Sequence, residues 1–205
     1  MSPFMDSFLA VVDLNIMAFL PIWILFEFPV VRNINFIGTW VDSPTLFKAY
    51  WPEGFILTGT DQTDYARKLL QQSGIPIVQL MELSDCPIDM NIGFSHFNAG
   101  VDITNHLLQK GYRKLGFLGA RMDTRTQQRL AGFKKAIADF KQPCQSYVVT
   151  TTQSSSIRLG GQLLQAVMAE SQGQCDAVFC CNDDLALGAL FETKRMKLKV
   201  PADIA

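Results

Sequence analysis

The sequence carries no surplus of basic charge. Its 18 Lys and Arg residues stand against 19 Asp and Glu, for a net charge of -1 at pH 7. A surface that grips nucleic acid shows a clustered positive footprint, and none is visible here. Charged residues of both signs are sparse, at 18%, while hydrophobic residues make up 48%. That balance excludes a disordered chain, a collagen and a coiled coil, and it is enough to build a sizeable core. The five cysteines are an odd number with no C-x-x-C spacing, and only Cys180 and Cys181 are adjacent. A disulfide framework is excluded; reduced, buried thiols in a cytoplasmic protein are expected.

The signatures of common enzymes are missing too. Gly116-Phe-Leu-Gly119 is not a dinucleotide-binding G-x-G-x-x-G, and no phosphate-loop lysine follows a glycine run. There is no G-x-S-x-G elbow and no H-E-x-x-H. His96 and His106 match no metal spacing and read as surface or satisfied histidines. No catalytic residue, no cofactor and no metal ligand is therefore assigned.

A long apolar span is also lacking. A membrane helix needs about 20 apolar residues. The unbroken run from Ile16 to Phe26 is shorter and holds Pro21, with Glu27 and Pro29 just beyond it. Residues 1–9 carry Asp6 and no Lys or Arg, unlike a secretory signal. Residues 1–50 thus form an atypical segment. It reads as a buried or poorly ordered apolar stretch, with a membrane tether over 14–31 or a sequence not naturally upstream as the other readings.

From residue 53 onward, apolar runs alternate with helical stripes. Strands are expected at 54–58, 76–80, 90–95, 114–119, 147–150 and 177–181. Between them, Tyr65, Ala66, Leu69 and Leu70 mark one helix, and Ala99, Ile103, Leu107 and Leu108 the next. Leu130, Phe133, Ile137 and Phe140 mark a third, Leu163, Leu164, Val167 and Met168 a fourth, and 185–196 a fifth. Strands apolar throughout and separated by amphipathic helices imply an α/β fold with a parallel sheet covered on both faces. Ligands bind such sheets beyond the carboxyl ends of the strands. The rule selects 58–61, 94–98, 119–129, 150–156 and 181–184.

Those loops are polar in a particular way. Arg121, Arg125 and Arg129 lie on and after the loop behind the 114–119 strand, with Thr124 as the expected helix cap. Arg125 and Arg129 are one helical turn apart, and a guanidinium there can grip a carboxylate or vicinal hydroxyls by two points. The plainer alternative is a solvated basic face paired with Asp123 or Asp139. Asn182 and Asp183 open a helix; either they are simple caps, or one caps while the Asn182 amide meets a sugar hydroxyl. Ser155 and Ser156 offer hydroxyls to a polyol or serve as turn and cap. Phe94 and Asn98 combine an aromatic face with an amide in a similar position.

The blocks Gly111-Tyr-Arg-Lys-Leu-Gly-Phe-Leu-Gly119, Arg129-Leu-Ala-Gly-Phe133, Val178-Phe-Cys-Cys-Asn-Asp183 and Val200-Pro-Ala-Asp203 resemble, in order and spacing, the LacI/GalR family of bacterial transcriptional regulators. The stretches 118–126, 153–156 and 179–186 look most like its gluconate-utilisation repressors. The resemblance covers residues 53–205. It implies a two-lobed, periplasmic-binding-protein-like sensor, with residues 51–112 in the N-terminal lobe and 113–205 in the C-terminal lobe. It implies a sugar or sugar acid, such as gluconate, as ligand. Arg129 and Asn182 would be the main contacts, with Arg125, Ser155, Ser156, Phe94, Asn98 and Asp183 around them. In the intact family, lobe closure changes the DNA-binding headpieces of a homodimer. The helix-turn-helix that would read operator DNA has no counterpart in this sequence, and Ala205 falls where another core strand is expected, so the sensor is expected to be incomplete at both ends. A cytoplasmic regulator with no membrane contact follows; a membrane-tethered or periplasmic sugar receptor is the alternative.

Overall fold

The computed structural model describes residues 54–60 and 62–205. The expectations for residues 1–50, including the 14–31 tether, and for Asp61 lie outside the described residues. Two units are present, one ending at Phe94 and one spanning Ser95–Ala205. Each contains its own three-stranded parallel sheet.

In the first unit, β1 (Phe55–Thr58), α1 (Asp64–Gln72), β2 (Ile77–Glu82) and β3 (Met90–Phe94) follow one another, and the strand order is β1-β2-β3. The helix begins where the Thr63 hydroxyl accepts from the Ala66 N–H, and it ends at Ser73, with Gly74 turning away at φ 69°. Ala66 and Leu70 press its apolar face onto Phe55, Leu57 and Ile77. Parallel neighbours are usually joined by a helix, yet residues 83–89 join β2 to β3 without one. Polar side chains tie that short connection. Asn91 Nδ2 donates to the Gln79 and Glu82 carbonyls, and Asp89 Oδ2 accepts from the Ile77 N–H at 3.0 Å.

The second unit runs α2 (His96–Gln109), β4 (Lys114–Gly119), α3 (Thr124–Asp139), β5 (Gln145–Thr150), α4 (Ile157–Glu170), β6 (Ala177–Cys180) and α5 (Asp183–Arg195). Its strand order is β5-β4-β6. The chain leaves the central strand for β5 and then crosses over it to reach β6. Right-handed crossovers in opposite directions put α3 and α4 on opposite faces of the sheet. A switch in direction of this kind is where open parallel sheets usually bind ligands. Leu115, Phe117, Leu118, Phe133, Leu164 and Val167 fill the core, and the Phe117 ring lies 5.4 Å from Phe133 and 5.2 Å from Phe179.

The helix over 96–109 buries Leu108 of its expected stripe but departs from it at Ile103. Its buried face is His96, Gly100, Thr104 and Leu108, while Ile103 is 47% exposed. The reason is the distance between helices. A Cβ on Gly100 would sit 2.4 Å from the Arg129 carbonyl oxygen, and one on Gly132 would sit 2.2 Å from that of Phe97. Helices this close at Gly100 and Gly132 leave no room for a larger side chain there, and Ile103 is turned aside. That same contact accompanies the placing of α2 in the second unit, which begins at Ser95.

Candidate functional site

At the carboxyl edge of the β5-β4-β6 sheet, α3, α4 and α5 all begin. Each start is closed by a side-chain cap. Asp123 accepts from the Thr126 N–H at 2.9 Å, Ser156 from Leu159 at 3.2 Å and Asn182 from Leu185 at 3.1 Å. Three helix N-termini at one edge concentrate positive dipole ends and favour a bound anion. The cap of α3 is Asp123, not Thr124, which is already helical. The extended backbone of Asp123, φ -64° and ψ 171°, carries its carboxylate over the first turn.

The Asp123 carboxyl sits below the usual carboxylate range. Burial pushes it up, but the Thr126 N–H and hydroxyl, with Arg125 and Arg121 nearby, outweigh that. A depressed folded-state value means the stabilisation exists above the unfolded value of about 3.9 and is lost as pH falls through the folded one. Asp123→Ala is therefore expected to cost about 1 kcal/mol near neutral pH. Urea midpoints of the two proteins should converge on acidification below the unfolded value; a gap that persists in acid contradicts the assignment.

The loops behind the strands are joined. The Arg121 N–H donates to the Gln153 carbonyl at 2.9 Å, and Ser155 Oγ donates to Asn182 Oδ1 at 2.8 Å. Arg121 and Met122 both hold positive φ, 61° and 55°, in the turn after β4. Non-glycine residues in that region carry strain of about 1 to 3 kcal/mol each, a feature that clusters at functional loops.

Arg129 projects from α3 to this edge. Its Nη1 donates to the Cys181 carbonyl, one residue before Asn182. Its Nε and Nη2 both face His96 Nδ1, at 3.3 and 3.2 Å. None of the ion pairs among the described residues includes Arg129. A half-buried guanidinium is thus held by a backbone carbonyl and a ring nitrogen.

The structure brings Arg129, Ser155 and Asn182 together in the second unit and treats the other expected residues differently. Asn182 does not leave capping to its neighbours. It is itself the cap, and its Nδ2 meets only a weak acceptor, Cys181 Sγ, at 3.7 Å. Ser156 spends its hydroxyl on the α4 cap. Asp183 is exposed in the first turn of α5. Arg125 lies 3.5 Å from Asp123, matching the plainer reading of the basic face. Asn98 is exposed in the first turn of α2, where its N–H donates to Ser95 Oγ. Phe94 ends β3 in the first unit and is 49% exposed.

Two buried polar residues lie outside the expected contacts. His96 is 1% exposed and lies against Arg129. Glu82, in the first unit, is 4% exposed and accepts from Thr60 Oγ1 at 2.7 Å. A carboxylate ending an apolar parallel strand was the available signal for Glu82. Met81 before it takes φ 80°, so the strand twists there. The cysteines are all free, with Cys175 and Cys181 buried as expected but Cys86 exposed. Burial pushes the Cys175 thiol up to about 11 and that of Cys180 up to about 12, so both stay protonated at neutral pH. Among the described residues, no group of three or more His, Cys, Asp or Glu side chains is placed to hold a metal ion.

The family described as periplasmic binding proteins and sugar binding domain of LacI family matches residues 44–205. The chain belongs to this family. Among curated relatives, this LacI/GalR-family chain is 43% identical over 160 residues to the HTH-type transcriptional regulator GntR of Pseudomonas aeruginosa, covering 78% of this chain and 46% of that protein. It is 39% identical over 153 residues to the regulator of the same name from Escherichia coli K12, covering 75% and 45%. The chain therefore spans about half the length of the curated relatives it matches. Among solved structures, the transcription regulator GntR from Chromobacterium violaceum superimposes with a TM-score of 0.70 at 35% identity, over 87% of this chain and 66% of that one. The LacI/GalR family is one of binding domains, not of enzymes, and the parallel α/β architecture agrees with it. No helix among the described residues is long and apolar enough to cross a membrane.

Proposed function

We propose that this chain is the effector-sensing part of a LacI/GalR-type transcriptional repressor, and that its effector is a sugar acid of the gluconate class. The carrying observation is Arg129, a cation held by the Cys181 carbonyl and the His96 ring and in none of the ion pairs among the described residues. A ligand carboxylate supplies the missing charge, and the three helix N-termini at the same edge favour it. Ser155 Oγ and the Asn182 amide lie within one hydrogen-bonded group and suit the hydroxyls of a polyol chain. Arg125 and Asp183 flank these residues along the chain, Ser156 shapes the loop, and Asn98 is a further contact.

The protein works by a shift between two conformational states, with ligand and operator binding coupled reciprocally. Operator DNA is read by a helix-turn-helix, which none of the described helices forms. A cytoplasmic homodimer is the working assembly, in keeping with the exposed Leu187, Leu190 and Phe191 on α5. The test is calorimetry with D-gluconate and its neutral counterpart D-glucitol. Gluconate should bind at least about tenfold more tightly. Equal affinity, or preference for the neutral polyol, would overturn the sugar-acid reading.

A further inference from the structure

His96 and Arg129 are 33 residues apart in sequence, yet their approach is set by backbone contacts and not by their own hydrogen bonds. Gly100, one turn beyond His96 on the same buried face, lies against the Arg129 carbonyl. Gly132, three residues after Arg129, lies against the Phe97 carbonyl. The α2–α3 seam therefore delivers the imidazole to the guanidinium in a fixed place.

The protonation state follows from the partner. Arginine N–H groups only donate, so Nδ1 must be the bare, accepting nitrogen and the ring must be neutral. Arg129 has five N–H bonds. Those on Nε, one on Nη2 and one on Nη1 go to His96 and Cys181. One remains on each terminal nitrogen, which suffices for a two-point grip on a carboxylate.

We propose that His96 is a positioning residue for ligand recognition. Its neutral ring fixes the guanidinium plane of Arg129 so that the remaining N–H pair faces the anion. Without it, the long side chain would have to be ordered by the ligand itself, at an entropic cost to affinity. This inference rests on the sugar-acid reading of the site.

The experiment titrates the full 205-residue chain with D-gluconate, comparing the wild type with His96→Leu, His96→Asn, Arg129→Ala and the Arg129→Ala/His96→Leu double variant. His96→Leu should weaken binding about 10- to 100-fold. His96→Asn places an amide oxygen near the position of Nδ1 and should restore affinity to within about threefold of the wild type. In the Arg129→Ala background, His96→Leu should add nothing further. Should the leucine variant fail to fold, His96→Gln serves in its place: its acceptor lies one bond too far, so it should bind more weakly than His96→Asn. Wild-type affinity in His96→Leu or His96→Gln, or an undiminished further loss in the Arg129→Ala background, would overturn the positioning role alone. A folded wild-type chain that ignores gluconate would remove the sugar-acid reading, and this inference with it.

Discussion

Replacing Gly132 with alanine is expected to destabilise the second unit by about 2 to 4 kcal/mol, net of the roughly 1 kcal/mol that alanine normally adds to a helix interior. Helix propensity alone predicts the opposite sign, which makes the experiment decisive. The added Cβ would stand 2.2 Å from the Phe97 carbonyl oxygen and 2.8 Å from the Val101 nitrogen. Both are backbone atoms of α2, so no side chain can swing away. The helices must separate, and the core beneath Leu108 and Phe133 loosens with them. Urea denaturation of the two proteins measures the difference; a neutral or stabilising substitution would show that the seam is not as tight as described. Because Arg129 rides on the same helix, ligand affinity should fall together with stability.

The second large effect is expected at Arg129 itself. Arg129→Ala should weaken gluconate binding by about 100-fold, as expected when a charge-assisted grip is removed from a partly desolvated site. Arg129→Lys should recover little. A lysine ammonium is a point charge on a flexible stem and cannot satisfy the Cys181 carbonyl and His96 Nδ1 while presenting a fork to the ligand. Calorimetry on all three proteins, with thermal melts alongside, separates lost recognition from lost folding. Near-wild-type affinity in the lysine variant would mean that charge alone, and not planar geometry, holds the anion.

Much of this could be read from residue order. Leu163, Leu164, Val167 and Met168 follow helical spacing and are all buried on α4. The 114–119 strand has the expected bounds, because it is apolar and bracketed by turns. Arg129 and Asn182 could be placed near one another because both follow strands whose carboxyl ends share an edge. What remained hidden depends on distances between elements. The stripe Ala99, Ile103, Leu107 and Leu108 counts apolar residues and finds Leu108, whereas the α2–α3 seam selects small ones, so Gly100 and Thr104 are buried as well, with His96 one turn before them. A lone histidine gives no sign of which residue it will meet across such a seam. Asp123 and Thr124 are both competent caps, and the choice between them turns on a single backbone ψ.

The central claim is that an anionic sugar acid balances the charge of Arg129 at the carboxyl edge of the second sheet. A crystal structure of the protein grown with D-gluconate addresses it most directly. The account predicts a ligand carboxylate oxygen about 2.7 to 2.9 Å from an Arg129 terminal nitrogen, with hydroxyls on Ser155 or Asn182. A gluconate molecule bound with its carboxylate away from Arg129, while the guanidinium keeps only Cys181 and His96 as partners, would contradict it.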